Sequence, residues 1–536
     1  MDDKNLWWRD GVIYQIYPRS LMDSDGDGVG DLNGIISRLD YLHHLGVDAV
    51  WLSPIYPSPN VDFGYDVSDY TEIHRCFGTM ADFDRLVQEA HRLDIRIVLD
   101  LVLNHTSDQH DWFKQSCQSK DNPYRDWYIW RKGRAGGPPN NWRSVFGGSA
   151  WQFDPQTEEY YLHMFYKEQP DVNWRNPNLR KAMLNVFKFW LDKGVDGFRL
   201  DVFNLYFKDA GFIDNPTCFG IRGFDRLKHV NDMDQPEMMP LLAEIRKLLD
   251  SYPERYMVGE TFLDGAEKAA GYCGDNKLHA AFNFEFLHSR WRPKNFLTAI
   301  QKWESALPDD VYPNYVLNNH DVPRSATRYG RGEDDDRLKV AAALLLTQHG
   351  TPFMYYGEEI GMRDIHIRRA QIQDPVGKHY WPFYIGRDGC RAPMQWNASK
   401  FAGFSDTHAW LPVHADYMER NVLAQKEDEN SLLNFYRRLL QLRKREKALR
   451  AGIFMPLTYE PRSILAYLRQ LQDETILVAM NFGRRPMRFF MGGEMRQADW
   501  QLLLSNKPAD LPEGHSGYIW IKPEQVLILK QEEGSR

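Results

Sequence analysis

GIISRLDYLHHLGVDAVWLSP, residues 34–54, holds a helix, a stop and a strand in that order. Ile35, Ile36, Leu39, Leu42 and Leu45 keep helical spacing, Gly46 ends the helix, and VDAVWL reads as a buried strand. The order returns in TMADFDRLVQEAHRLDIRIVLDLVLNH (79–105). There Thr79 and Asp82 form a capping box, Phe83, Leu86, Val87, Ala90 and Leu93 make the apolar stripe, and IRIVLDLVL follows. It appears a third time in LRKAMLNVFKFWLDKGVDGFRLD (179–201). Helices alternating with near-continuous hydrophobic strands predict parallel strands joined by crossover helices.

Extending this reading gives eight candidate strands, at 12–18, 49–54, 95–102, 197–201, 255–260, 280–284, 315–321 and 351–359. Eight parallel strands predict an α/β fold, a (β/α)8 TIM barrel, whose active site lies on the loops after the strands. An open doubly wound sheet is the alternative, and the lack of GxGxxG after the first strand weighs against its nucleotide-binding form. The Trp-, Pro- and Gly-rich stretch after the third strand is too long for a loop and predicts an inserted small domain. After ENSLLNFYRRLLQLRKREKAL, short alternating runs predict a C-terminal all-β sandwich. The expected units are barrel 1–104, insert 105–172, barrel 173–452 and β-sandwich 453–536.

Composition excludes several classes of function. A net charge of −8 disfavours nucleic acid and an anionic membrane surface. The longest apolar block, VAAALLL at 340–346, is far short of the roughly 20 residues a membrane span needs. The polar opening MDDKNLWWRDG has no signal-peptide pattern, and five scattered cysteines form neither a disulfide framework nor a zinc motif, so a cytoplasmic setting is expected. Aromatic residues reach 14%, many beside Gly, Pro or charged residues, as in a sugar-binding cleft.

DSDGDGVGD (23–31) matches the first half of an EF-hand loop. The twelfth position, where an EF-hand needs a bidentate Glu, is Gly34, so a calcium sensor is excluded and a cation-clasping loop is expected.

Three acidic residues follow apolar strands directly: Asp201 after GFRL, Glu260 after MVG and Asp321 after LNNH. Barrel geometry converges them on the mouth, where like charge and desolvation raise carboxyl pKa values. Retaining glycoside cleavage needs such a pair, one carboxylate to attack the anomeric carbon and one carboxylic acid to protonate the departing oxygen. Arg199, two residues before Asp201, shares its face and would hold it ionised. His105 and His320 at strand ends could donate N–H groups to sugar hydroxyls. Metal-dependent hydrolysis lacks HExxH or paired-His spacing.

At these residues the sequence resembles the α-amylase family of glycoside hydrolases, family 13, and within it the exo-acting α-glucosidases and oligo-1,6-glucosidases. GVIYQIYPRS, DLVLNH (Asp100, Asn104, His105), QPDVN (169–173), GFRLDVFN, VGE, NNHD and GTPFMYYGEEIGM carry the resemblance, in the family's order. It implies Asp201 as nucleophile, Glu260 as acid/base and Asp321 as the carboxylate that binds and distorts the terminal sugar. It further implies Asp62 from FGYDVSDY paired with Arg391 from GCRAPMQW to close a blind pit, Tyr65 as a stacking platform, and Phe146, Phe165 and Gln169 as walls. One structural Ca2+ or Mg2+ is implied on Asp23, Asp25, Asp27, the backbone of Val29 and Asp31, with no organic cofactor; the α-amylase calcium site between barrel and insert is not expected in this branch.

The substrate so implied is a small oligosaccharide or disaccharide, and the assembly a monomer or weak homo-oligomer. Val202, after the nucleophile, goes with α-1,6 linkages among similar enzymes, though one side chain discriminates by only about 1–3 kcal/mol. RYGRGEDDDR does not reproduce the Arg-rich loop of sucrose isomerases. Disaccharide hydrolysis of the sucrose or trehalose type and transfer of glucose to other alcohols stay open within the class. A non-catalytic transporter-ancillary protein of the same fold is disfavoured by intact motifs and the absence of a span.

Overall fold

The computed structural model describes residues 6–262, 265–332, 334–458, 462–509 and 517–532; the remaining positions of the expected units, and Glu333 of RYGRGEDDDR, lie outside them. Ile13–Ile16, Ala49–Leu52, Arg96–Leu101, Gly197–Leu200, Tyr256–Glu260, Ala280–Phe282, Asn314–Val316 and Thr351–Tyr355 form one sheet. Every ladder in it is parallel, and the eighth strand pairs with the first. The sixth and seventh strands end the ladder order yet pack side by side, which nearly closes the predicted barrel. Alternate residues fill its interior, among them Ile13, Trp51, Val98, Val258, Phe282 and Phe353. Their neighbours, such as Tyr14, Val50, Ile97 and Leu99, pack outward against the helices.

Local chemistry explains where the elements begin and end. Gly46 ends its helix at φ 100°, a left-handed conformation that a side chain would strain. The helix expected around residues 35–45 is split into Leu32–Ile36 and Leu39–Leu45. Ser37 Oγ donates to the Gly34 carbonyl at the break, a local bond that competes with helix continuation. Thr79 and Asp82 form the expected reciprocal box at the start of Met80–Arg92. The seventh strand is shorter than the predicted 315–321, because side chains turn the chain: Asn318 Oδ1 accepts from Ser325 N, and Asn319 Oδ1 from Asp321 N and Val322 N. His320 and Asp321 therefore stand on a loop beyond the strand.

After the third strand the chain builds a small antiparallel sheet of Trp130–Arg131, Trp151–Asp154 and Glu159–Leu162. Bridges between His105 and Asp171 and between Tyr128 and Val172 tie the two ends of this excursion together. At the C-terminal end, Ile453–Pro456, Ile464–Leu471, Glu474–Asn481, Trp500–Ser505 and Val526–Gln531 form an antiparallel sheet. A two-stranded sheet, Met487–Phe490 with Tyr518–Ile521, packs over it around Ala466, Leu477, Phe489, Ile519 and Leu529. Among the described residues no helix is long and apolar enough to cross a membrane.

Candidate active site

Asp100 on the third strand lies directly opposite Arg199 on the fourth, and both side chains face the barrel interior. Arg199, 1% exposed, donates from Nη1 to Asp100 Oδ1 and Asp201 Oδ1, both at 2.7 Å, and from Nη2 to Glu260. One buried guanidinium thus binds three buried carboxyl groups. Burial pushes all three upward, Asp100 to about 6, Asp201 to about 7 and Glu260 to about 8, while the Arg199 charge opposes it. Glu260 is raised further by the charges of Asp201 and Asp321 and by donating a hydrogen bond to Asp201. The direction matters chemically: Glu260, pressed by burial and by the Asp201 and Asp321 charges, is the carboxyl that favours its protonated form, while the Arg199 charge favours the ionised form of Asp201.

Asp201 and Glu260 line a pit of about 230 Å³. Val145, Phe146, Phe165, Val202 and Phe262 pack together as its apolar lining, and Tyr65 and His105 line it as well. Val202 adopts φ 34°, ψ 42°, a left-handed conformation uncommon for a β-branched residue, where the fourth strand turns into Phe203–Leu205. Asp321 faces the pit with its side chain 35% exposed and accepts from Arg391 Nη2 at 3.0 Å and Arg387 Nη1 at 3.3 Å. Burial pushes its carboxyl up, but His320, Arg387 and Arg391 outweigh this and hold it well below the usual carboxylate range. Burial also takes His320 down to about 3, so its imidazole is neutral and the lasting positive charge beside Asp321 comes from the two guanidinium groups.

His320 belongs to a relay of hydrogen bonds. Its Nδ1 accepts from Gln15 Nε2 at 2.8 Å, which leaves the proton on Nε2 to donate to Tyr65 Oη at 2.6 Å; Tyr65 in turn donates to Asp100 Oδ2 at 3.0 Å. The Tyr65 and His320 rings stack at 5.3 Å and 3°.

Two expectations, the Asp62–Arg391 pair and Gln169 as a wall, need correction. Asp62 does not pair with Arg391: its Oδ1 accepts from Arg387 Nη2 at 2.6 Å, while Arg391 is turned to Asp321 and to the His320 carbonyl at 2.8 Å. Asp374 fixes Arg387 in this pose, accepting from its Nε and Nη2 at 3.0 Å each. Gln169 is fully buried and supports the pit from behind, donating to the Tyr65 carbonyl at 3.1 Å and to Asp62 at 3.4 Å. His105 lines the pit, but its Nε2 sits 2.9 Å from the Tyr65 carbonyl and is engaged there. Arg387 and Asp374 were missed although Arg387 lies just before the GCRAPMQW motif, and a charged run of this kind does not reveal which arginine turns inward.

At the junction of insert and barrel, Lys208 is fully buried and its Nζ contacts Asp171 at 2.5 Å and Asn104 Oδ1 at 2.8 Å. In the acidic loop, Asp23, Asp25 and Asp27 each bring one carboxylate oxygen within 4.8 Å of the others, which fits a hard cation. Asp27 is raised by burial and by the neighbouring acids, repulsion that a cation would relieve. Val29 adjoins the group through its N–H to Asp27 Oδ1 at 2.8 Å. Asp31 stands apart from the trio: its carboxylate accepts from Ser24 N, Ser24 Oγ and Gly34 N at 2.7 Å each and caps the following helix.

Comparison with known proteins agrees with this geometry. A model of the α-amylase catalytic domain matches residues 15–452. An oligo-1,6-glucosidase of Parageobacillus thermoglucosidasius is 40% identical over 98% of this chain and 99% of its own, and a probable α-glucosidase of Rhizobium meliloti is 42% identical over 89% of each. Among solved structures, an α-glucosyl transfer enzyme superposes with a TM-score of 0.92 at 39% identity, covering 99% of this chain and 100% of its own. A trehalulose synthase superposes at 0.90 and 35% identity, covering 98% and 100%. With barrel, carboxyl cluster and near full-length similarity in agreement, the chain belongs to the α-amylase family of glycoside hydrolases.

Proposed function

We propose that the protein is a retaining exo-α-glucosidase that removes terminal α-glucosyl residues from short oligosaccharides. The observation that carries this reading is the carboxyl pair Asp201 and Glu260, held by one buried guanidinium and lining the same pit as Asp321 and the Asp62–Arg387 pair. Asp201 attacks the anomeric carbon while the bond to the leaving oxygen breaks and takes the Glu260 proton, giving a glucosyl ester on Asp201. Glu260, now a carboxylate, removes a proton from water, which attacks the same carbon and releases Asp201. Asp321, kept anionic by Arg387 and Arg391, binds sugar hydroxyls and draws the ring toward the planar transition state.

Transfer to an alcohol in place of water uses the same ester, and similarity to an α-glucosyl transfer enzyme favours it as a second activity. Val202 at the pit wall supports α-1,6 preference with α-1,4 activity alongside. The Asp23, Asp25 and Asp27 trio would hold a structural Ca2+ or Mg2+ far from any bond-breaking role. Five cysteines, all unpaired, suit a cytoplasmic enzyme acting as a monomer or weak homo-oligomer. Proton NMR of the first sugar released from isomaltose and maltose tests the reading. Initial α-glucose is expected, with activity lost by orders of magnitude in Asp201→Asn; initial β-glucose refutes it.

A further inference from the structure

Glu358 and Glu359 follow the eighth strand, are both buried, and do not line the pit. Glu359 accepts from Tyr14 Oη at 2.9 Å and Tyr41 Oη at 2.7 Å in the layer outside the barrel. Glu358 reaches the other way. Its Oε1 accepts from Tyr436 Oη at 2.9 Å, on the helix Leu432–Arg445, and its Oε2 accepts from Asn318 Nδ2. Asn318 opens the loop that carries His320 and Asp321. Its amide also donates to Ser325 Oγ at 3.1 Å and its carbonyl accepts from Ser325 N, so one side chain ties both ends of that loop.

An amide placed this way needs an acceptor on its nitrogen side and a donor on its oxygen side, and Glu358 supplies the first. Ser325 already favours this orientation, since rotation would set Nδ2 against the Ser325 N–H, donor to donor; Glu358 adds the acceptor that holds the amide, and with it the loop, in place. Burying a carboxyl is costly, and an apolar side chain of equal volume would fill the space as well. What it would not do is anchor the Asn318 amide. We propose that Glu358 is a positioning residue for catalysis: through Asn318 it fixes the loop that presents Asp321 to the terminal sugar. This rests on the role given to Asp321 above.

The test compares kinetics on p-nitrophenyl α-glucoside with thermal unfolding, on protein shown folded by circular dichroism. Glu358→Met keeps volume and removes the acceptor; kcat and kcat/KM are expected to fall together by about tenfold or more, the pattern of an interaction made in the transition state. Glu358→Gln, which can turn its carbonyl to Asn318, is expected to recover most of kcat. Tyr436→Phe leaves the Asn318 bond intact, so it is expected to lower the melting temperature with kcat held within about twofold. If Glu358→Met does not fold, Asn318→Asp alone should lose kcat and the Asn318→Asp, Glu358→Gln pair, which reverses the bond's polarity, should regain it. Full kcat in Glu358→Met, equal loss in the Met and Gln variants, or no regain in the pair overturns the assignment. Asp321→Asn reports on the underlying reading: full activity there refutes that reading, whereas loss there beside an unaffected Glu358→Met refutes only the positioning role.

Discussion

Replacing Glu260 by Gln should erase one limb of the pH profile and leave the other. Asp201, raised to about 7 by burial, and Glu260, raised to about 8 by burial, titrate as a pair, and only the form with one proton on Glu260 reacts. As pH falls through the lower value Asp201 takes a proton and cannot attack. As pH rises through the upper value Glu260 loses the proton that the leaving oxygen needs. Two groups raised into the same range leave a limited window for the reactive form, so kcat/KM should trace a narrow bell. In Glu260→Gln the alkaline limb should vanish and the acid limb persist. The loss on isomaltose should be about 10²–10⁴-fold, or ~3–5 kcal/mol of transition-state stabilisation. It should be smaller on an aryl glucoside whose leaving group departs without a proton. Stopped assays on isomaltose and continuous assays on p-nitrophenyl α-glucoside between about pH 5 and 10 measure both. An alkaline limb that survives in Glu260→Gln, or an unchanged isomaltose rate, would show that another group donates the proton.

Lys208→Met leaves the buried Asp171 carboxylate without its cation and should cost about 3–5 kcal/mol in urea unfolding, with part regained in Lys208→Met, Asp171→Asn. Asp62→Ala breaks the pair with Arg387 and should lower kcat/KM for isomaltose by about tenfold or more with little change in unfolding free energy; unchanged kinetics would remove Asp62 from sugar binding. Treatment with a strong chelator should lower the melting temperature without changing kcat on an aryl glucoside, and Asp23→Ala, Asp27→Ala should make the protein indifferent to it.

The barrel was legible because its strands are buried on both faces and its helices show one apolar stripe, signals that survive in composition alone. Asp201 and Glu260 were legible for a related reason: a carboxyl at the end of an apolar strand has no solvated surface to occupy. The partner of Asp62 was not. Arg387 and Arg391 lie on one short turn, and Asp374, on a separate stretch of chain, decides which guanidinium swings inward. Asp31, an acidic residue that ends a carboxylate run and precedes a helix, suits both a cation and a cap, and in the structure it caps the helix. Lys208 and Glu358 carry no local signal: the side-chain partner Asn104 lies 104 residues from Lys208, and Asn318 lies 40 from Glu358.

An exo-acting pit, with the Asp62–Arg387 pair in its lining, has a kinetic corollary. A tunnel open at both ends can bind a polymer anywhere along its length, so its work scales with mass. A dead end admits one terminus at a time, and turnover on a mixed pool of saccharides would follow how many molecules are present, whatever they weigh. Such an enzyme gains nothing from a longer chain and is suited to finishing digests that other activities have already cut short.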